Sequence, residues 1–294
     1  MYNGLKFYRL FYISVVMGLT PSSIFAQQDM VSQPVRIFVM GDNTWRDEQE
    51  WPIARAQYTK YYLHSQGNAS ALDDGTLDTR LPRKEIEDRY VYDPLNPMPT
   101  KGGNMLSGGG PYDQSEQAVR QDVLSFLTSP LSEDLEVTGP VKVTLYAATS
   151  ARDTDFTAKL IDVHPDGKAY NLLDGIIRAR YRVSFSNPLL VKPGEVYEYT
   201  IDLWSTSNVF KKGHRIRVDI SSSDFPHFDR NPNTGNTFGM DADMQRPRRR
   251  SIIVIRILLM LSCRLFPDDR ADSRVRTDKI QFQIPTKAHG VPCT

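Results

Sequence analysis

Apolar and polar residues alternate along several short stretches between Gly139 and Gly235, with the period of two that a half-buried β-strand requires. In the first stretch, Val141, Val143 and Leu145 lie on one face of the predicted strand. The other alternating stretches are residues 156–160, 197–203 and 216–220. Turn-forming residues separate them at 165–167, 192–194 and 211–213. The pattern predicts a mainly β fold with two packed antiparallel sheets, a jelly roll or a related β-sandwich.

Length and composition restrict the classes of protein without naming one. The chain has 294 residues, which is enough for one large domain or two small ones. Its formal net charge of +1 favours neither a nucleic acid nor an acidic partner. Cys263 and Cys293 are the only cysteines, so one bridge is feasible but a disulfide scaffold is excluded.

The first 26 residues have the features of a targeting segment. Lys6 and Arg9 give a short basic start, residues 10–19 are apolar and uncharged, and Ala26 could end a cleavage site before Gln27. The apolar run is too short to predict a membrane span. We expect a signal peptide over residues 1–26 and a secreted or periplasmic protein. A mis-assigned start codon or a hydrophobic N-terminal strand would give the same pattern.

Residues 35–40 form a separate apolar run that predicts a short buried strand, and Gly41 ends it. Trp45 and Trp51 bracket the acidic loop that follows. A strand that leads into a glycine-containing loop often lies at the edge of an α/β sheet, where functional sites collect. A strand that only packs against its neighbours has the same pattern, and from these residues alone we favour that interpretation.

Candidate catalytic residues are few. The chain contains no Gly-x-Ser-x-Gly nucleophile elbow. His227 is the residue most like a general base, because Asp224 and Asp229 are close to it in a polar loop. With no nucleophile to activate, it is interpreted as structural. His164, in a Pro-Asp-Gly turn, and His214, at the start of a strand, are interpreted in the same way.

The acidic residues give no clear metal site. Asp153, Asp155, Asp162 and Asp166 could supply oxygen ligands to calcium, but their spacing is not that of an EF-hand loop. Asp153 and Asp155 are more simply explained as caps of a strand entry. The five glycines of the loop 96–112 lack the Lys-Ser/Thr ending of a phosphate cradle. The sequence therefore assigns no catalytic, cofactor-binding or metal-ligating residue and no cofactor.

Four groups of residues carry a resemblance to a known family. They are Asp-Thr-Asp-Phe at 153–156, Asp-Val-His-Pro-Asp-Gly at 162–167, Ser-Asn-Val-Phe with Gly-His-Arg-Ile-Arg in 207–217, and Asp-Phe-Pro with Phe-Asp-Arg-Asn in 224–231. In this order they resemble the C-terminal domain shared by X-Pro dipeptidyl-peptidases, cocaine esterase, α-amino-acid ester hydrolases and glutaryl acylases. Residues 39–52 resemble the last catalytic-domain strand and the linker that follows it.

The resemblance implies a serine-hydrolase function, which we do not expect this chain to perform alone. Members of the family are serine hydrolases with an α/β-hydrolase core, a helical cap and a galactose-binding-like jelly roll. Acyl transfer through a Ser-His-Asp triad and an oxyanion hole is therefore implied. In the family the triad precedes the strand that residues 39–41 resemble, where this chain has only its leader-like segment. We expect no residue, His227 included, to be catalytic. The implied partner is an α/β-hydrolase catalytic domain, in the same gene or on a separate chain.

The C-terminal region departs from the family. After residue 245 the family continues with a final strand, whereas this chain has Arg-Pro-Arg-Arg-Arg at 246–250 and an apolar run at 251–261 that Arg256 interrupts. One interpretation is a basic, membrane-seeking segment that is too short to span a bilayer. We favour a shifted reading frame. Codons exist for residues 251–267 that, read one nucleotide earlier, give a string that resembles the family's final strand. A sandwich without that strand would expose an unpaired edge.

The predicted organisation has four segments. They are a signal peptide at 1–26, a remnant of an α/β-hydrolase domain with its linker at 27–60, a jelly-roll domain at 61–245 and an aberrant, frameshifted tail at 246–294. Two other functions stay open. An exported sandwich could bind carbohydrate through Trp204, Tyr170 or Tyr181, although core packing is expected of each. The chain could also dock on a separate catalytic subunit through strand 35–40.

Overall fold

A computed structural model describes residues 34–237 and 239–241 and the backbone of residues 251–264. This part of the chain is mainly β, with one short helix, α1 (Ser115–Ala118), and one 3-10 turn at Ala179–Tyr181. The strands are β1 (Val35–Val39), β2 (Thr44–Glu48), β3 (Gln57–His64), β4 (Thr76–Asp78), β5 (Asp88–Val91), β6 (Leu124–Leu127), β7 (Leu135–Thr149), β8 (Asp155–Val163), β9 (Ala169–Arg178), β10 (Tyr197–Phe210), β11 (Arg215–Ser221) and β12 (Ser251–Arg264).

The main sheet folds over on itself into two layers. Its strand order is β10-β7-β12-β3-β4-β6-β11-β8-β9, with β5 paired to β12. The two ends of this order approach each other, because β10 packs against β9 and β8 without sharing a ladder with them. The approach is close at Gly175 of β9, where an added Cβ would lie 2.3 Å from the carbonyl oxygen of Asp202 in β10.

Apolar residues from both layers form one core. Its fully buried members include Val143 and Leu145 of β7, Leu160 of β8, Ile201 of β10 and Val218 of β11. Each lies in one of the alternating stretches of the sequence, so the predicted mainly β sandwich is confirmed. The more detailed jelly-roll connectivity stays a prediction.

The run at residues 35–40 forms a hairpin rather than a buried strand. β1 and β2 make a separate two-stranded antiparallel sheet, in which Val39 is buried and Phe38 is exposed. The expectation of a buried strand is wrong because one face of this hairpin has no covering layer in the described residues. Met40 joins it to β10, accepting from the Val209 N–H at 2.8 Å and donating to the Ser207 carbonyl at 2.9 Å. Whether the hairpin is a catalytic-domain remnant stays a prediction.

The apolar run after residue 250 forms part of the main sheet. β12 pairs with β7 along one edge and with β5 and then β3 along the other, all antiparallel. It is therefore an interior strand. The frameshift hypothesis concerns the gene and stays a prediction.

The signal peptide predicted for residues 1–26 lies outside the described residues. Within the described residues, no helix has the length and apolarity to cross a membrane.

Candidate functional site

A continuous groove runs along β9. Three depressions of about 380, 420 and 480 Å³ adjoin one another and share lining residues, and a fourth of about 210 Å³ continues from the third. Residues 171–178 form its length, and Trp204 and residues 225–231 form its sides. We call this depression the β9 groove.

His227 lies near the middle of the β9 groove. Its Nδ1 is 3.6 Å from Oδ1 of Asp174 and 3.7 Å from Oδ2 of Asp224, and its ring stacks on Phe228 at 4.1 Å. The Lys159 ammonium donates to Oδ1 of Asp224 at 2.9 Å, and both side chains are buried. The pKa of the Asp174 carboxyl is raised from its ordinary value, because burial disfavours its charged form.

This cluster contains a histidine beside carboxylates, as a general base requires, but it lacks the arrangement of a catalytic triad. A triad needs a nucleophile within hydrogen-bond reach of the histidine. Among the residues that the structure describes, no serine hydroxyl is hydrogen-bonded to the His227 ring. The sequence placed His227 near Asp224 and Asp229. The structure confirms the proximity to Asp224 and adds Asp174 and Lys159, which lie on neighbouring strands and are distant along the chain.

Buried ion pairs fix the loop that forms one side of the groove. Arg178 donates to both oxygens of Asp155 at 2.7 and 2.8 Å, and Arg180 donates from Nε to Oδ2 of Asp153 at 2.7 Å. The Asn231 amide donates to Asp153 at 3.1 Å and to Asp155 at 2.8 Å. The two carboxylates that were considered as calcium ligands therefore have arginine and amide partners, and they hold residues 224–237 against β8 and β9.

Trp204 projects into solvent at the groove. Trp204 is 72% exposed and its backbone φ is +68°, within the register shift of β10 between Asp202 and Ser205. The expected core packing is wrong for this residue, because it lies on the outward face of β10, together with the exposed residues 198, 200 and 202. Tyr181 packs against the core, as expected, and Tyr170 places its ring edge-on to His164 at 5.0 Å.

A second exposed aromatic surface lies on the β1–β2 hairpin. Phe38 and Trp45 pair edge to face at 5.3 Å and are 39% and 63% exposed. Arg46, between them and the sandwich, donates to both oxygens of Glu136 in β7, at 2.9 and 2.6 Å. We call Phe38 and Trp45 the hairpin surface. The ion pair thus attaches the hairpin to β7, while the two large apolar side chains stay exposed in the described residues.

Three potential metal ligands meet at the far end of β8. The ligand atoms of Asp162, His164 and His214 all lie within 4.8 Å of one another. In the sequence, Asp162 is a candidate ligand only together with other aspartates, and both histidines are interpreted as structural. The Asp-x-His spacing at a strand end was a usable signal, but the position of His214 depends on strand register, which the sequence does not display.

The two layers of antiparallel strands define a β-sandwich domain, and a comparison with protein families identifies its family. The chain belongs to the family described as the X-Pro dipeptidyl-peptidase C-terminal non-catalytic domain, whose model matches residues 30–252. The resemblance found in the sequence is thereby confirmed. Domains of this family pair with a catalytic hydrolase domain.

Individual relatives support the same assignment. Cocaine esterase from Rhodococcus sp. (strain MB1 Bresler) is 49% identical over 211 residues, which cover 70% of this chain and 37% of that protein. An α-amino acid ester hydrolase structure matches 79% of this chain and 41% of its own, with a TM-score of 0.68 and 29% identity. An aminopeptidase from a marine sediment Thaumarchaeota archaeon gives the same TM-score at 30% identity, over 78% of this chain and 40% of its own. The chain thus spans about two fifths of the length of these relatives.

Proposed function

We propose that this chain is the C-terminal domain of an exported serine hydrolase that acts on acyl ester or amide bonds. It carries no catalytic triad and docks on an α/β-hydrolase catalytic domain through the hairpin surface. The names of the relatives, an esterase, an ester hydrolase and an aminopeptidase, support the reaction class.

The exposed pair of Phe38 and Trp45 is the observation that carries the docking proposal. Large aromatic side chains that are exposed to solvent next to each other are typical of the anchor residues of protein interfaces. The family's last catalytic strand resembles residues 39–41, which adjoin this pair. A partner that covers the hairpin would also add a strand beside β2, whose outer edge has no ladder partner in the described residues.

Docking can be measured with the Rhodococcus cocaine esterase as the source of the catalytic domain. The part of the Rhodococcus cocaine esterase that this chain does not match would be mixed with the purified chain, and association would be followed by sedimentation velocity. We expect Trp45→Ala to raise the dissociation constant at least about tenfold, because anchor residues carry most of the binding free energy.

Leu81→Ala is the matched control. Leu81 is 74% exposed but lies between β4 and β5, so its loss should leave association unchanged. No association of the unchanged chain, or equal effects of the two substitutions, would contradict docking through the hairpin.

Turnover of a p-nitrophenyl ester by the pure chain, abolished by a serine-directed inhibitor, would contradict the absence of a triad. Export is tested by the mass of the secreted chain, which should begin at Gln27.

Trp204 favours carbohydrate binding as a second candidate function. An exposed indole beside a polar groove can stack on a sugar face, and Asp174 and Asp202 line the same depression. Titration of the isolated chain with oligosaccharides should then change its tryptophan fluorescence, and Trp204→Ala should abolish the change while Trp45→Ala preserves it. Binding that survives Trp204→Ala would exclude this groove as the glycan site.

A further inference from the structure

The ladder between β8 and β11 brings two histidines and a carboxylate together. Val163 pairs with Arg215 and Asp162 pairs with Ile216, so the next step outward places His164 opposite His214. Residues two apart on a strand share a face, and directly opposite residues are within side-chain reach of each other. Asp162, His164 and His214 therefore converge on one side of the sheet, at the Pro-Asp-Gly turn that joins β8 to β9.

The distances among these side chains suit a tetrahedral metal. Ligands about 2.0–2.2 Å from zinc lie roughly 3.3–3.6 Å from one another in a tetrahedron. Here Nδ1 of His214 is 2.9 Å from Oδ1 of Asp162, and Nε2 of His164 is 3.7 Å from Oδ2 of the same aspartate. The two imidazole rings lie 4.3 Å apart. Small side-chain rotations would bring all three ligands onto one ion.

The surroundings leave the cluster available to a cation. In the part of the chain that the structure describes, Asp162 forms ion pairs with these two histidines and with no lysine or arginine. Asp162 is buried and His214 nearly so, whereas the His164 side chain is 37% exposed and opens the cluster to solvent. Three protein ligands with an accessible fourth position form a common zinc arrangement.

We propose that Asp162, His164 and His214 bind a zinc ion, with solvent in the fourth position. Two imidazoles and one carboxylate suit zinc and neighbouring transition metals, whereas calcium and magnesium prefer oxygen ligands alone. The bound ion ties the β8–β9 turn to the start of β11. It does so at the end of the ladder, where no further backbone pairing holds β8 and β11 together.

Metal titration of the whole chain tests this site. The chain carries Cys263→Ser and Cys293→Ser, because thiolates also bind zinc, has no histidine tag and is treated with a chelator beforehand. Isothermal titration with zinc chloride should give one equivalent, and cobalt should give the intense visible absorption of a tetrahedral ion. His164→Ala should weaken zinc binding by about 10–100-fold, by analogy with losses around other metal sites.

His64→Ala is the matched control, since His64 also contacts two carboxylates, Asp78 and Glu85, but has no second histidine beside it in the described part of the chain. It should leave zinc binding unchanged. The melting temperature gives a second measurement that does not depend on affinity. Zinc should raise it in the starting chain but not in His164→Ala. The proposal is overturned if the starting chain binds no zinc, if its cobalt spectrum stays octahedral, or if His64→Ala abolishes binding while His164→Ala preserves it.

Discussion

Asp153 shows how single residues stabilise the side of the β9 groove. Its carboxylate is fully buried, yet it accepts hydrogen bonds from the Arg180 side chain and main chain and from Asn231. A buried charge is tolerated when its partners replace the lost water, and removing one member leaves the other without compensation. The position of the loop 224–237 therefore depends on this charge.

Asp153→Asn should lower the free energy of unfolding by about 3–5 kcal/mol, because it leaves the Arg180 guanidinium buried without its counter-charge. Urea denaturation followed by circular dichroism measures the change. Asp166→Asn makes the same chemical change at an exposed turn, where the Lys168 ammonium is 3.8 Å away, and should cost less than about 1 kcal/mol. Similar losses for both variants would show that Asp153 is not a buried ionic support.

Residue patterns predicted the core but not the exceptions. Val143 and Leu145 face inward as the alternation requires, because apolar side chains on one face of a strand gain most from leaving water. Trp204 lies on the polar face of the alternation in β10, with Glu198 and Asp202, so its exposure follows from the period of two. The exception is the register shift of β10 between Asp202 and Ser205, because a bulge adds one residue to a strand and no sequence period marks it there.

At the scale of elements, β12 connects two parts of the main sheet. Without it, the long edge of β7 and the edges of β3 and β5 would have no partner in the described residues. Unpaired edges of this length promote aggregation. A strand with partners on both sides also has its backbone N–H groups directed at neighbouring strands, so proline is excluded from its interior.

Leu258→Pro should therefore destabilise the chain by on the order of 1–3 kcal/mol, since residue 258 pairs with both Tyr62 and Thr144 and would lose its N–H. Thermal unfolding measures the effect, and light scattering should rise as edges are exposed. Leu258→Val is the control, because it retains the N–H and the preference for extended backbone. Equal stability of the two variants would mean that β12 contributes little to the sheet.

At the scale of the whole molecule, the sequence predicted the type of fold and the family better than the arrangement of its surfaces. The four motif groups identified the family, and the turns between strands marked the sandwich. The β9 groove could not be predicted, because Lys159, Asp174 and His227 come from separate segments that only tertiary packing brings together. The same holds for His164 and His214, whose meeting depends on the register of β8 against β11.

The order of the strands along the chain has a consequence for biosynthesis. β12 lies inside the sheet but leaves the ribosome after every other strand described, and its partner β3 precedes it by nearly 200 residues. Pairings between such distant segments form slowly, since loop closure must come first. Until translation has passed residue 264, the nascent chain holds β3, β5 and β7 without the strand that joins them. Chaperone binding during this interval would protect the open edges.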